Sequence, residues 1–341
     1  MKLQLTTIAA AIALSASAAS WANQAPDYTH NNVYKSGGET AFQQQETIRS
    51  SMNGFDSLNI SGAPSVRETD HDQNNQIDST ANSLQTGTEQ YSRILQMGPS
   101  GGTWQENNAY VEQGSSGSEE NGSIVEQKNG SYNTATVIQK GSGLNESRIV
   151  QSYGDTNTAT VNQYGMSDQS DIIQYNGNTN IATVDQYGGS NNQSFIEQRN
   201  GDLNTAKVEQ RNSDSSDSYI KQDGGGNTAE VRQVNNSDLS DSIIRQTGYD
   251  NEAYVDQENN SQQTWSFIEQ RDDGHFAEVT QNNANFSASY IYQGGNGQHD
   301  AYVTQQTETG SLSMVRQNGT AAIANHTQTG GSGNVASSYQ W

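Results

Sequence analysis

The chain has 341 residues, 30% hydrophobic and 16% charged, with 38 acidic against 16 basic residues, a formal net charge of −22 and no cysteine. So little apolar material cannot offset the entropy of ordering conventional globular cores. The acidic balance disfavours nucleic acid and anionic membrane surfaces as partners, and the missing thiols exclude a disulfide framework and a thiolate site.

The N-terminus, MKLQLTTIAAAIALSASAASWANQ, carries Lys2, then an apolar stretch around Ile8 to Leu14, then small residues leading to Ser20-Trp21-Ala22. This pattern predicts a signal peptide over residues 1–22, hence a secreted, extracellular protein. The apolar run is too short to span a bilayer, and no later segment suits membrane insertion as a helix. Residues 23–80 are polar, hold Pro26 and Pro64, and show no steady beat. They read as a flexible leader, either an export-recognition region or a spacer.

From residue 81 to 341 a glutamine recurs, and the repeats are clear over 107–317. The beat falls on Gln113, Gln127, Gln139, Gln151, Gln163, Gln174, Gln186, Gln198, Gln210, Gln222, Gln233, Gln246, Gln257, Gln270, Gln281, Gln293, Gln305 and Gln317. A fixed short period sustained this far signals a repeat architecture. Two half-repeats alternate. One reads Asn-x-Ala-x-Val-x-Gln, as at Asn251, Ala253, Val255 and Gln257; the other has Ser and Ile in place of Ala and Val, as at Ser240, Ser242, Ile244 and Gln246. The starting position is held by Asn107, Asn133, Asn145, Asn157, Asn180, Asn192, Asn204, Ser216, Asn227, Ser240 and Asn251, and is altered at Thr264, His275 and His299.

Fixed residues at every second position give strand period, and Gly, Asn and Asp fill the intervals where reversals need positive φ. The expected fold is therefore all-β: a β-solenoid of stacked strand–turn–strand coils forming two facing, parallel, in-register sheets. At about 4.8 Å per rung, nine clear repeats span roughly 40 Å. Stacking predicts ladders of Gln on Gln and Asn or Ser on its like, each amide donating one way and accepting the other. Outward charges such as Glu209, Arg232 and Asp256 should then adjoin, although Lys221 would lie beside Arg245. Three residues before the Gln, the Ser-type halves carry Phe195, Tyr219, Ile243, Phe267, Tyr290 and Met314, an expected exposed apolar stripe for lateral bundling or a partner.

The half-repeats SDSIIRQ (Ser240 to Gln246) and NTATVNQ (Asn157 to Gln163) resemble curlin repeats, the units of curli fibre subunits, over about residues 81–341. That resemblance implies a functional amyloid subunit of a biofilm matrix. It also implies an outer-membrane curli export channel, an accessory factor, a periplasmic chaperone, and a nucleator or major subunit as partners. The beat runs to NVASSYQW, with Gln340 on it, which suggests an unpaired edge suited to head-to-tail self-assembly. The alternative is a monomeric extracellular β-solenoid adhesin or ligand-binding surface protein. No motif singles out catalytic, cofactor-binding or metal-binding residues, so no enzyme and no cofactor are expected; His30, His71, His275, His299 and His326 lack metal-ligand spacing.

Overall fold

The computed structural model of the chain describes residues 35–36, 39–40, 68–74, 78–98, 106–141 and 143–341. The signal-peptide reading and most of the leader lie outside the described residues. Apart from the short antiparallel pair Lys35–Ser36 and Glu39–Thr40, every described strand belongs to one parallel network of 21 strands.

Alternation in sequence becomes alternation in burial. Strands Thr134–Gln139 and Thr158–Gln163 bury Ala, Val and Gln and turn Thr and its neighbours outward. From Thr134–Gln139 onward each strand pairs not with the next in sequence but with the one after. Thr134–Gln139 pairs with Thr158–Gln163, while the intervening Glu146–Ser152 pairs with Gln169–Tyr175. Odd and even strands therefore build two facing sheets, one from Ala-type and one from Ser-type halves. The all-β solenoid of stacked strand–turn–strand coils is the fold.

Register is strict. Ala182 aligns with Ala206, Val184 with Val208 and Gln186 with Gln210; on the other sheet Ser194 aligns with Ser218 and Gln198 with Gln222. Between the sheets the inward Ala, Val and Ile side chains form one continuous core running from Ile94 to Ala324. Because both sheets contribute only small and medium side chains, the gap stays narrow along the whole stack.

The stack also reaches further towards the N-terminus than residue 81. Glu68–Asn74 pairs with Tyr91–Met97, bringing Gln73 under Gln96. Thr69 and His71 stand where Ser and Ile sit in other rungs, which is why this strand reads as leader. Two long strands, Thr80–Met97 and Asn108–Lys128, run through both sheets, and register shifts between Thr86 and Thr88 and between Thr88 and Gln90 mark the corner.

The turns are tight enough to force left-handed backbone on residues that seldom adopt it, including Tyr153 (φ 56°) and Leu203 (φ 62°). Stacked turns also approach closely. A Cβ on Gly154 would lie 1.9 Å from the carbonyl oxygen of Gly177, and one on Gly177 2.0 Å from that of Gly201. Only glycine permits that approach.

Candidate functional site

The chemistry of this chain is distributed, and its unit is the buried carboxamide. On the Ala-type sheet, Nε2 donates to the Oε1 of the next rung from Gln113 through Gln139, Gln163, Gln186, Gln210, Gln233, Gln257, Gln281 and Gln305 to Gln328. On the Ser-type sheet the same relay runs from Gln127 through Gln151, Gln174, Gln198, Gln222, Gln246, Gln270, Gln293 and Gln317 to Gln340. Every link measures 2.8 to 3.0 Å and every one points towards the C-terminal end. The second amide proton goes across the gap to backbone: Gln151 Nε2 lies 3.0 Å from both Thr134 O and Asn157 O. These glutamines are fully buried, from Gln113 to Gln317, yet their polar atoms are satisfied.

The serine of the Ser-type half has a job that spacing does not reveal. Ser242 Oγ donates to Gln257 Oε1 at 2.7 Å, on the facing sheet, and Ser170, Ser194, Ser218 and Ser266 do likewise to Gln186, Gln210, Gln233 and Gln281. The oxygens of Gln186, Gln210, Gln233, Gln257 and Gln281 thus each accept two hydrogen bonds. The difference between the two half-repeats is therefore chemical as well as steric.

The starting position ties strand to turn. From Asn107 through Asn133, Asn157, Asn180, Asn204 and Asn227 to Asn251, each Oδ1 accepts the backbone N–H of the column residue one rung on, at 2.9 to 3.1 Å. Each Nδ2 donates to a turn carbonyl, as Asn133 to Gly154 O at 2.9 Å and Asn157 to Gly177 O at 2.8 Å. The asparagine ladder is thus built mainly on backbone partners rather than amide on amide. On the other edge Asn145, Asn192, Ser216 and Ser240 share a column with Asn121 and Asp168. Ser216 Oγ donates to Ser237 O and Ser240 Oγ to Ser261 O, both at 2.6 Å.

Asp168, like Asn121, is a member of this column that motif reading passed over, although its place six residues before Gln174 marks it. Its Oδ1 accepts from Asn192 N at 3.0 Å and Asn192 Nδ2 at 3.1 Å. Its Oδ2 occupies the place where column asparagines carry their NH2. A Cβ on Gly165 would meet Asp168 Oδ2 at 2.1 Å and Gly189 O at 2.5 Å, as one on Gly154 would meet Asn157 Nδ2 at 2.9 Å and Gly177 O at 1.9 Å. Burial pushes the Asp168 carboxyl up to about 7, its Asn192 hydrogen bonds pulling the other way. In its protonated form the acid supplies the donor that the column needs.

The other substitutions keep the column in different ways. Thr264 Oγ1 donates to Ser240 Oγ at 2.9 Å. The rings of His275 and His299 stack at 5.0 Å, and His275 Nδ1 accepts from His299 N–H at 3.3 Å while its Nε2 donates to Arg271 O at 2.6 Å. Burial lowers the affinity of both rings for a second proton. Among the described residues no group of three or more His, Cys, Asp or Glu could hold a metal ion, and no helix is long and apolar enough to cross a membrane.

Outward charges pair along the ladders, Arg232 with Asp256 at 3.0 Å and Lys207 with Glu230 at 2.9 Å. Lys221 turns away from Arg245 to Glu197, at 3.1 Å. Partly exposed pairs of this kind contribute little stability, roughly 0–1 kcal/mol each.

The apolar stripe requires a correction. Tyr219, Ile243, Phe267 and Tyr290 are 6%, 3%, 2% and 6% exposed, and Phe195 and Met314 are half-buried at its ends. Together with Trp265, Ala288 and Leu312 they form a second apolar cluster on the outer face of the Ser-type sheet. Ring stacking, such as Phe195 on Tyr219 at 5.0 Å and 4°, shields the faces of these side chains. With these side chains buried, the stripe is not the open surface that its sequence spacing predicts.

No family model matches the chain, and no curated protein matches it.

Replacing Gln210 with Ala should cost about 2–4 kcal/mol, since it opens a cavity and removes at once its hydrogen bonds with Gln186, Gln193, Ser194, Ser216, Ser218 and Gln233. The same change at Gln340, on the outermost rung, should cost under about 1 kcal/mol. Urea unfolding midpoints measure both, and equal costs would contradict a buried relay. For Asp168, whose folded value is raised, stability is fully present below the ordinary carboxylate range and lost as pH rises through about 7. Asp168→Asn should therefore match the parent chain near pH 4 and exceed it at pH 8 by about 2–4 kcal/mol, measured by urea unfolding across that range.

Proposed function

We propose that this chain is an extracellular structural solenoid, a rigid rod that presents surface and performs no catalysis. The observation that carries this reading is that one chain satisfies its own buried amides from Gln113 to Gln317, so the rod forms without a partner. Its signal-like N-terminus supports export, and among the described residues its repeated, like-with-like interior offers no singular cluster of unlike groups for a reaction. As a monomer it would serve as an adhesin or a ligand-binding surface protein.

A second reading, head-to-tail assembly into curli-like fibres, is favoured by the direction of the relay. All Nε2-to-Oε1 links point one way, so the rung of Gln340 presents amide donors and the rung of Gln73 presents an amide oxygen. Among the described residues no strand pairs with the outer edges of Ala322–Ser332 and Val335–Gln340, or with the outer edge of Glu68–Asn74. Such edges template the addition of like strands. The curlin-like half-repeats support the same reading, with self-assembly on a nucleator after passage through an export channel, accessory factor and chaperone as its corollary.

Sedimentation and fibre diffraction of the purified chain without residues 1–22, over a wide concentration range, distinguish the two. A monodisperse elongated monomer is the expected outcome for the adhesin. Fibres with a reflection near 4.8 Å along the axis, abolished by Ser337→Pro in the last strand, are expected for the polymer. A compact or unfolded monomer, or hydrolysis of a matrix polysaccharide, would overturn both.

A further inference from the structure

The outward positions of the Ala-type sheet hold a regular array of threonines. Thr134 aligns with Thr158 and Thr136 with Thr160, and Thr183 continues the second column. The first column passes through Ile181, 45% exposed, to Thr205. Two periods cross in this array: rungs repeat about every 4.8 Å, and outward positions along one strand about every 6.7 Å. Thr134, Thr136, Thr158, Thr160 and Thr183 are half-exposed and Thr205 is exposed. Among the described residues none of these six hydroxyls has a hydrogen-bond partner, although neighbours on the same face do pair, as Asn162 Nδ2 does with Asp185 Oδ1 at 2.7 Å. The fold does not demand threonine here. Further along the second column stand Lys207, Glu230, Tyr254, Glu278 and Tyr302.

The chemistry of the array narrows what it can bind. Threonine is β-branched and held to few rotamers, so its methyl and hydroxyl groups repeat as strictly as the backbone that carries them. In a chain of net charge −22, neither column carries an ionised group between residue 134 and residue 205. Nothing there attracts an ion, an anionic polymer or a charged lipid surface. A flexible glycan chain repeats in one direction only. The rings that border the array, Tyr164 and Tyr187, stack on each other at 4.8 Å and 11°, so the faces that a sugar ring would cover are turned towards each other. What repeats in two directions is a crystal, and the prism face of ice repeats its oxygens at nearly these two distances. Hydroxyls free of protein partners can take lattice positions on that surface, while the methyl groups between them hold caged water without competing for its hydrogen bonds.

We propose that the Ala-type outer face between Thr134 and Thr205 is an ice-binding surface, its ligand the ordered water of a crystal face. The proposal gives a ligand to the surface-presenting reading and rests on it. Head-to-tail stacking uses the sheet ends, so a polymer would carry the same array once per subunit.

Ice grown slowly from a dilute solution of the purified chain without residues 1–22, mixed with an inert globular protein, tests the proposal. The chain should be enriched in the ice while the inert protein is rejected into the liquid, and it should slow the coarsening of fine polycrystalline ice. A variant carrying Thr136→Glu, Thr160→Lys and Thr183→Glu should lose both effects. Its alternating charges extend the native pair Lys207 and Glu230 along the column, so the fold accepts them, and an unchanged urea midpoint checks that. Glu278→Lys, in the same column beyond the array, should leave both effects intact. Rejection of the parent chain from ice, or enrichment that survives the triple variant, overturns the proposal, as does equal loss in Glu278→Lys. Should the triple variant unfold, Thr160→Tyr replaces it, since Tyr254 already stands in that column, with the same loss expected and undiminished enrichment as the contrary result. Retention on crystalline cellulose that the triple variant loses, without enrichment in ice, assigns the array to a different lattice and also overturns the proposal. An elongated monomer rejected from ice removes the ligand and leaves the rod, whereas a compact or unfolded chain removes the rod itself.

Discussion

A primary carboxamide has one oxygen that accepts and one nitrogen that donates twice, and in glutamine it sits at the end of a stem long enough to reach into the gap between two sheets. Stacked at the rung spacing of a parallel sheet, such groups repeat the backbone's own hydrogen-bond vector inside the core. Everything else in this molecule follows from that match. The gap is narrow because Ala faces larger neighbours, the strands alternate because alternate residues must enter the gap, and the register is fixed because a one-residue slip would bury Glu209 or Arg232 in place of Gln210 and Gln233.

Satisfaction within the ladder also explains how a chain that is only 30% hydrophobic can be ordered. Each net hydrogen bond contributes only about 1 kcal/mol, but an unmade one in this interior would cost more, so the rungs support one another. Coupling is between nearest neighbours, as in other repeat folds. A rung can therefore carry an unusual residue without disturbing distant ones. The starting column shows the tolerance. Asparagine both accepts an N–H and donates to the turn; serine and threonine manage with one hydroxyl; His275 accepts through Nδ1 and donates through Nε2; Asp168 completes the set only with a proton.

Much of this was legible in the sequence, because the features that repeat are those that pack. The beat from Gln113 to Gln317 and the alternation around it give the strands, their parallel stacking and the pairing of like with like. What escaped has physical reasons. Gln73 continues the beat, but Thr69 and His71 replace the usual Ser and Ile, so its strand reads as leader. The bond from Ser242 to Gln257 crosses between sheets, and spacing along one strand carries no information about it. Asp168 hides because an acid is not expected in an amide column, although protonation makes it equivalent. The stripe at Ile243 and Phe267 is visible as a pattern, but a pattern shows only which way a side chain points, not what lies over it.

Hydrogen exchange of the glutamine side-chain amides tests the central claim most directly. If the relay exists, the Nε2 protons of Gln139, Gln163, Gln210 and Gln246 exchange orders of magnitude more slowly than those of the exposed Gln306, and in step with the backbone of their own strands. Interior carboxamides exchanging as fast as Gln306, while the backbone around them stays protected, would show that the sheets stand without the ladder and would contradict the account.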